Sequence, residues 1–423
     1  MKKSLFISLF LLCFCLFLFS GAYRQEEVMI TLNFDDKQIV WSDEKCLNTQ
    51  VVDYENLIQK RGLRQSHKDR ANLIEKIVSM GFSYEEACGY VFPKLNQMVD
   101  DFAGTINKNA VDATAKFTPN KTNKFEYTKE EFGRYVDKED LYQKICQNLH
   151  KTNKVALDIT PKIITPKVTK KDLVARTQLV SCFETDYNKS GENRKHNIET
   201  ALKAFNGLVL EPNKEYSFNQ TTGRRTEEKG YREANIIVNN EYVEGFGGGV
   251  CQVSTTLYNA LLLADVNVLE SHPHSLESGY VQAGFDAMVN YGSSDLKFVN
   301  NKNYPLYIRT YHKNGKIGVE IYGKPVFKIQ RKSKILGETK LDDVVLEDNT
   351  LLCGEKRYKV QPKTGKKVLS YLEYTKGGKV IKTKKLRIST YKPVQGVLLV
   401  GTKKDEEDEK KQTFSSFDVI KQG

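Results

Sequence analysis

The chain has 423 residues, too many for one ordinary domain, and 39% of them are hydrophobic, enough to bury substantial cores. Its 65 Lys and Arg outnumber 53 Asp and Glu, giving a net charge of +12 that favours anionic surroundings such as cell-wall polymer, a membrane surface or nucleic acid. The lysines are scattered rather than gathered on one helix, which argues for a generally basic, solvated surface and against a dedicated nucleic-acid patch. At the N-terminus, Lys2 and Lys3 precede an apolar run from Leu5 to Phe19, and Ser20 and Ala22 follow as small residues at signal-peptidase spacing. Residues 1–22 therefore read as an export signal or an N-terminal anchor. The run is short for a spanning helix, which needs about 20 apolar residues. Cys13 and Cys15 lie inside the run, so no lipobox is formed.

Residues 25–45 alternate in strand fashion (VMITLNFDDKQIVW), and residues 53–104 carry helical apolar spacing at Leu57, Ile58, Leu73, Ile74, Ile77 and Val78. A short strand, a turn and a helix with Leu141, Ile145 and Leu149 on one face are expected next. Pro161 and Pro166 then mark a linker or edge strand. Residues 176–323 hold the glycine-cysteine stretch GFGGGVCQVSTTLYNALLLA. Beyond Lys324 the chain alternates with period two around Gly377-Gly378, a β-hairpin in a small β module. The tail from residue 402 is charged, poor in apolar residues and expected to be disordered. The whole predicts a multidomain α+β protein in three parts: a mixed region over 23–173, an α+β domain over 176–323, and an antiparallel β module over 325–401.

An exported chain with six further cysteines, Cys46, Cys88, Cys146, Cys182, Cys251 and Cys353, has either three disulfides or free thiols; no CxxC spacing selects a metal knuckle. Cys251 stands apart. In a helix opening there, Val253, Leu257, Ala260, Leu261 and Ala264 share an apolar face, while Cys251, Ser254, Thr255 and Tyr258 share the other. A helix N-terminus favours thiolate over thiol. Gly247, Gly248 and Gly249 would let a substrate approach the backbone, with free N–H groups forming an oxyanion site. Downstream lie His272, His274 and Asp286, residue types that can serve as base and orienting carboxylate. The competing readings are a buried small hydrophobe at Cys251, ordinary structural histidines, or a zinc site of Cys251, His272 and His274 with no evident fourth ligand.

The segment from Asn193 to Gly292 resembles the VanW family. The marks that carry the likeness are YSFN, GRRTEEKGY, GGGVCQVSTTLYNA, HS, and GFDAMV followed by YG. Residues 110–173 are similar to the peptidoglycan-binding domain that often precedes it. Residues 325–401 resemble the five-glycine β domain that often follows, with Gly354, Gly365, Gly378 and Gly401 as the glycines aligned. The resemblance implies L,D-transpeptidase activity with Cys251 as nucleophile and His274 of the HS element as acid and base. Asp286 would orient the histidine, and Arg225 would hold a substrate carboxylate. Gly248, Gly249, Ser254, Thr255, Tyr258 and His272 are the further candidates for substrate contact. Peptidoglycan stem peptides and anionic cell wall are the partners implied, at an extracytoplasmic location, with no metal, other cofactor or nucleic acid. A non-catalytic wall-binding protein and a cysteine peptidase or carboxypeptidase acting on the same polymer are the competing functions.

Overall fold

Two units make up the computed structural model, which describes residues 26–42, 66–92, 94–238 and 241–403. One takes in the chain up to Ala113 and again Lys129–Thr169; the other takes in Thr114–Thr128 and the chain from Lys170 on. The N-terminal apolar run, Cys46, Leu57, Ile58 and the charged tail from residue 404 lie outside the described residues. Among the described residues, no helix is long and apolar enough to cross a membrane.

The first unit opens with strands β1 (Met29–Phe34) and β2 (Lys37–Ser42), an antiparallel pair. Three helices follow: α1 (His67–Ser79), α2 (Tyr84–Val91) and α3 (Leu95–Ile106). Ser66 and Ser83 each begin a helix through a reciprocal capping box, with Asp69 and Glu86 three residues on, which satisfies N–H groups that the first turn leaves without partners. Helix α4 (Lys138–Leu149) buries Leu141, Ile145 and Leu149, the face expected from their spacing. Strand β3 (Lys154–Asp158) then pairs parallel with β1. The proline-flanked stretch forms the short strand Lys162–Ile164, paired with Gly133–Tyr135. The core gathers Ile30, Leu32, Trp41, Ile74, Phe92 and Tyr142. Residues 114–128 belong to the second unit. There Phe117 and Phe125 stack at 5.0 Å and pack on Tyr307 and Tyr322.

In the second unit, a four-stranded antiparallel sheet contains β4 (Gln178–Asp186), which lies beside Lys316–Gly323, then Leu306–Lys313, then Val209–Leu210. Helix α5 (Glu192–Lys203) leads on to a hairpin of β5 (Glu233–Val238) and β6 (Glu241–Phe246). The hairpin delivers the chain to the three glycines and helix α6 (Val250–Leu263). Side chains fasten α6 to β4: Ser181 Oγ donates to Ala260 O at 2.8 Å, and Gln252 Nε2 donates to Asp186 O at 2.8 Å. The helix is buried on all sides. Ser254, Thr255 and Tyr258, expected on the polar face, are at most 2% exposed. Strand β7 (Asn267–Glu270) leaves α6 toward the segment bearing the histidines.

The C-terminal part is all β. Strands β8 (Lys328–Thr339), β9 (Gly365–Lys376) and β10 (Lys379–Tyr391) form one antiparallel sheet, with β9 in the centre. The expected hairpin turn falls at Gly377 and Gly378, both with positive φ (57° and 80°), a region glycine enters without penalty. Strands Val344–Leu352, Val397–Lys403 and Lys356–Val360 make a second small sheet.

One buried side chain ties several of these elements together. Asn197 of α5 is fully buried. Its Nδ2 donates to Arg232 O at 2.8 Å and Gly248 O at 3.2 Å, and its Oδ1 accepts from Arg232 N at 2.7 Å. Helix, hairpin and glycine turn are thereby fixed by one amide. Net hydrogen bonds contribute about 1 kcal/mol each, and a buried group left unpaired costs about 1–3 kcal/mol. Asn197→Ala should therefore destabilise the unit by about 2–4 kcal/mol in urea unfolding; a loss below about 0.5 kcal/mol would contradict this role.

Candidate active site

Three sequence-distant groups meet at the start of α6. Cys251 sits in its first turn, half-buried. His274 and Asp286 lie on the segment that follows β7, and Asp286 is 1% exposed. Asp286 Oδ2 accepts from His274 Nδ1 at 2.7 Å and from the His274 backbone N–H at 2.6 Å. His274 Nδ1 is thereby engaged by the carboxylate. Cys251 and His274 are near enough for each to act on the other's ionisation. The Val289 amide donates to Cys251 Sγ at 3.5 Å.

The electrostatics follow from this geometry. Burial pushes the Cys251 thiol up, but the hydrogen bond and charge of His274, the Val289 amide and the Arg225 charge outweigh it, so the thiol lies below its ordinary range. Burial works against the His274 cation, yet Asp286 and Cys251 raise its pKa to about 9. Asp286 is also penalised by burial, and the donors around it still hold the carboxyl below the usual carboxylate range. These directions together favour a thiolate and an imidazolium backed by a carboxylate. The other described cysteines, also free, are different. Cys88 and Cys146 are buried in the first unit, and burial pushes their thiols up, Cys146 to about 12.

Gly247 and Gly249 have φ of 84° and 106°. A methyl group on Gly247 would lie 2.7 Å from Arg225 Cβ; on Gly248, 2.7 Å from Asn235 O; on Gly249, 2.8 Å from Ile198 Cγ1. On the Cβ side these positions are filled by the protein itself, so the glycines let Arg225, β5 and α5 close around the turn. Ser254 and Thr255 are likewise occupied. Ser254 Oγ donates to Ala287 O at 2.5 Å, and Thr255 Oγ1 accepts from Ala287 N at 2.9 Å. They hold the Asp286 segment against the helix. Tyr258 is buried beneath the Arg387 guanidinium, 5.4 Å from its ring centre.

His272 is not in the cluster. Its Nε2 lies 3.0 Å from Glu270 Oε1, which also accepts from the Asp295 backbone N–H at 3.1 Å. Arg225 is close enough for its charge to act on Cys251. Its Nη2 donates to Asn219 Oδ1 at 2.7 Å, while Nη1 is buried with no hydrogen-bond partner. Reading the sequence alone missed Val289, and also Tyr280, whose ionisation burial and the Cys251 charge oppose.

The ion pair has a defined pH window. It forms as the pH rises through the lowered Cys251 value and is lost as the imidazolium deprotonates near pH 9. Within the window, iodoacetamide should alkylate Cys251 faster than Cys182, whose thiol partial burial raises. Removing the imidazole leaves burial to dominate, so His274→Ala should slow Cys251 alkylation near pH 7 by about tenfold or more, one pKa unit being a factor of ten. Equal rates for the two thiols, or an unchanged rate in the variant, would contradict the ion pair.

Comparison with known proteins agrees with this layout. Residues 193–322 match the family described as VanW like protein, and residues 337–403 match the G5 domain. The chain is 39% identical over 172 residues to the uncharacterized protein YoaR of Bacillus subtilis, covering 40% of this chain and 56% of that one. It is 27% identical over 135 residues to the vancomycin B-type resistance protein VanW of Enterococcus faecalis, covering 28% and 49%. It thus spans about half the length of the curated relatives it matches. Among solved structures, the crystal structure of HP0197-G5 is 25% identical and covers 17% of this chain and 97% of that one, with a TM-score of 0.11. Cys251, His274 and Asp286 all fall within the first matched region, and the chain carries a VanW-like domain followed by a G5 domain.

Proposed function

We propose that the chain is a cysteine-dependent peptidoglycan L,D-transpeptidase acting outside the cytoplasm. The observation that carries this reading is the Cys251–His274–Asp286 cluster, with a lowered thiol pKa, a raised imidazole pKa and a buried carboxylate. Acyl transfer needs a nucleophile ionised at neutral pH and an acid poised to protonate a leaving amine. The VanW-like match and a relative named for vancomycin resistance support wall peptides as the substrate class. The net charge of +12 suits an anionic wall.

The chemistry runs in two steps. The Cys251 thiolate attacks the carbonyl between the third and fourth residues of a tetrapeptide stem. The C–N bond breaks, and the amine of D-alanine leaves with a proton from His274, giving a thioester on Cys251. A side-chain amine of a second stem then attacks the thioester and passes its proton to His274. A cross-link between two third residues forms, and the thiolate and imidazolium return. The Cys251 N–H, in the first turn where no intrahelical acceptor exists, is the candidate oxyanion donor. Arg225, with Nη1 unpartnered, is the candidate for the carboxylate of the departing residue.

Product analysis of a purified tetrapeptide muropeptide tests this. The wild-type protein should release D-alanine and form cross-linked dimer, and Cys251→Ala should form none. His274→Ala should lose about 100- to 10,000-fold in turnover, and His272→Ala much less. Tripeptide without dimer would make the enzyme a carboxypeptidase, and cleavage at another bond a peptidase. Wild-type product from folded Cys251→Ala would remove the enzymatic reading.

A further inference from the structure

The Asp286 carboxylate has two sides, and only one belongs to the VanW-like domain. Oδ2 faces His274. Oδ1 accepts from the Tyr391 hydroxyl at 2.6 Å and lies 3.4 Å from Arg387 Nη2. Both residues come from β10, more than a hundred positions along the chain and inside the G5 match. We infer that the C-terminal β module is part of the catalytic apparatus, with Tyr391 and Arg387 acting as positioning residues for Asp286. The inference rests on the acyl-transfer reading above.

Several independent contacts support the assignment. Tyr391 is 2% exposed and its hydroxyl is fully used, donating to Asp286 and accepting from Gly284 N at 2.7 Å. Arg387 spans a wider arc. Nε donates to Ser389 Oγ at 3.1 Å, Nη1 to Ser271 Oγ at 3.0 Å, and Nη2 to the Asp286 carbonyl. The Lys392 amide donates to Ser275 O at 2.8 Å, one residue past His274. Lys366 Nζ reaches Glu277 Oε2 at 2.7 Å. Even the approach of the two parts is built in: a methyl on Gly284 would lie 3.1 Å from Ser370 Cβ of β9, and Gly284 has φ of 93°. The segment carrying both His274 and Asp286 is thus fastened at Ser271, Ser275, Glu277, Gly284 and Asp286 by the β module. An isolated buried carboxylate shared with an imidazolium would be free to rotate; donors on its far oxygen fix the plane in which Oδ2 meets Nδ1. The same donors keep it ionised, since hydrogen bonds to the charged form favour it.

The test uses full-length protein. Tyr391→Phe deletes one hydroxyl and keeps the ring. Loss of that donor weakens the hold of Asp286 on the imidazolium, and through it the thiolate, so the acid limb of the turnover profile, set by Cys251, should shift to higher pH by about one unit. Turnover near neutrality should fall about tenfold, with Cys251 alkylation falling in parallel. Arg387→Lys keeps a charge but cannot span Ser271 and Asp286 together, and should shift the limb the same way. Tyr374→Phe is the control: this buried tyrosine of β9 bonds Asp265 Oδ1 at 2.8 Å, away from the cluster, and should leave the limb in place. A wild-type acid limb in both folded Tyr391→Phe and Arg387→Lys would overturn the inference, as would an equal shift in Tyr374→Phe. If those results came with inactive Cys251→Ala, only the role of the β module would fall; active Cys251→Ala would remove the acyl-transfer reading itself.

Discussion

The hydrogen bond between Asp286 and His274 is the contact on which the rest of the site depends. Its partners are 2% and 11% exposed at the side chain. Taking a carboxylate and an imidazolium out of water costs several kcal/mol per ion, and pairing alone often fails to offset that cost. Here the carboxylate is not left to pairing alone. The His274 backbone N–H, the Tyr391 hydroxyl and Arg387 also bond or face it. Such a network adds little stability compared with an apolar replacement, and its use is to hold charge where chemistry needs it. The raised His274 pKa follows from Asp286 and Cys251, and the lowered Cys251 pKa follows in turn from His274.

The surrounding fold can be understood as the means of holding that bond in place. Helix α6 is buried along its whole length, and its hydroxyls are spent on Ala287 and on β4. The Asp286 segment is therefore clamped between α6 on one side and β9–β10 on the other. The glycine turn before Cys251 serves the same end. It lets Arg225 and α5 close on the helix start, with Asn197 locking the turn from below. The result is a thiol with fixed neighbours at the rim of a rigid core, the arrangement preorganised catalysis requires.

Much of this was legible in the sequence, in a particular order. Capped helices in the first unit, the paired strands around Asp35 and the Gly377-Gly378 hairpin follow from local chemistry and periodicity, which act over a few residues. Cys251, His274 and Asp286 were visible as residue types within one motif-rich stretch of 36 residues, and the structure brings all three together. The helical period correctly divided α6 into two faces, but periodicity does not reveal what covers the polar one. Ser254, Thr255 and Tyr258, candidates for substrate contact, lie buried, with Ser254 bonded to Ala287 O. Gly248 and Gly249 likewise lie against protein atoms on their Cβ side. Tyr391 and Arg387 carried no local mark at all. Their place beside Asp286 is set by the register of β10 on β9 and by packing across more than a hundred residues, which no short window contains.

The central claim is that Cys251 is an acyl-accepting nucleophile, and the most direct measurement is the mass of the intact protein. The protein is mixed with a tetrapeptide donor, without an acceptor amine, and quenched in acid within the first turnovers. The account predicts a covalent adduct equal to the donor less its terminal D-alanine, mapped to Cys251 by peptide sequencing and released by hydroxylamine as a thioester. Product forming with the protein unmodified, or an adduct on any residue other than Cys251, would contradict it.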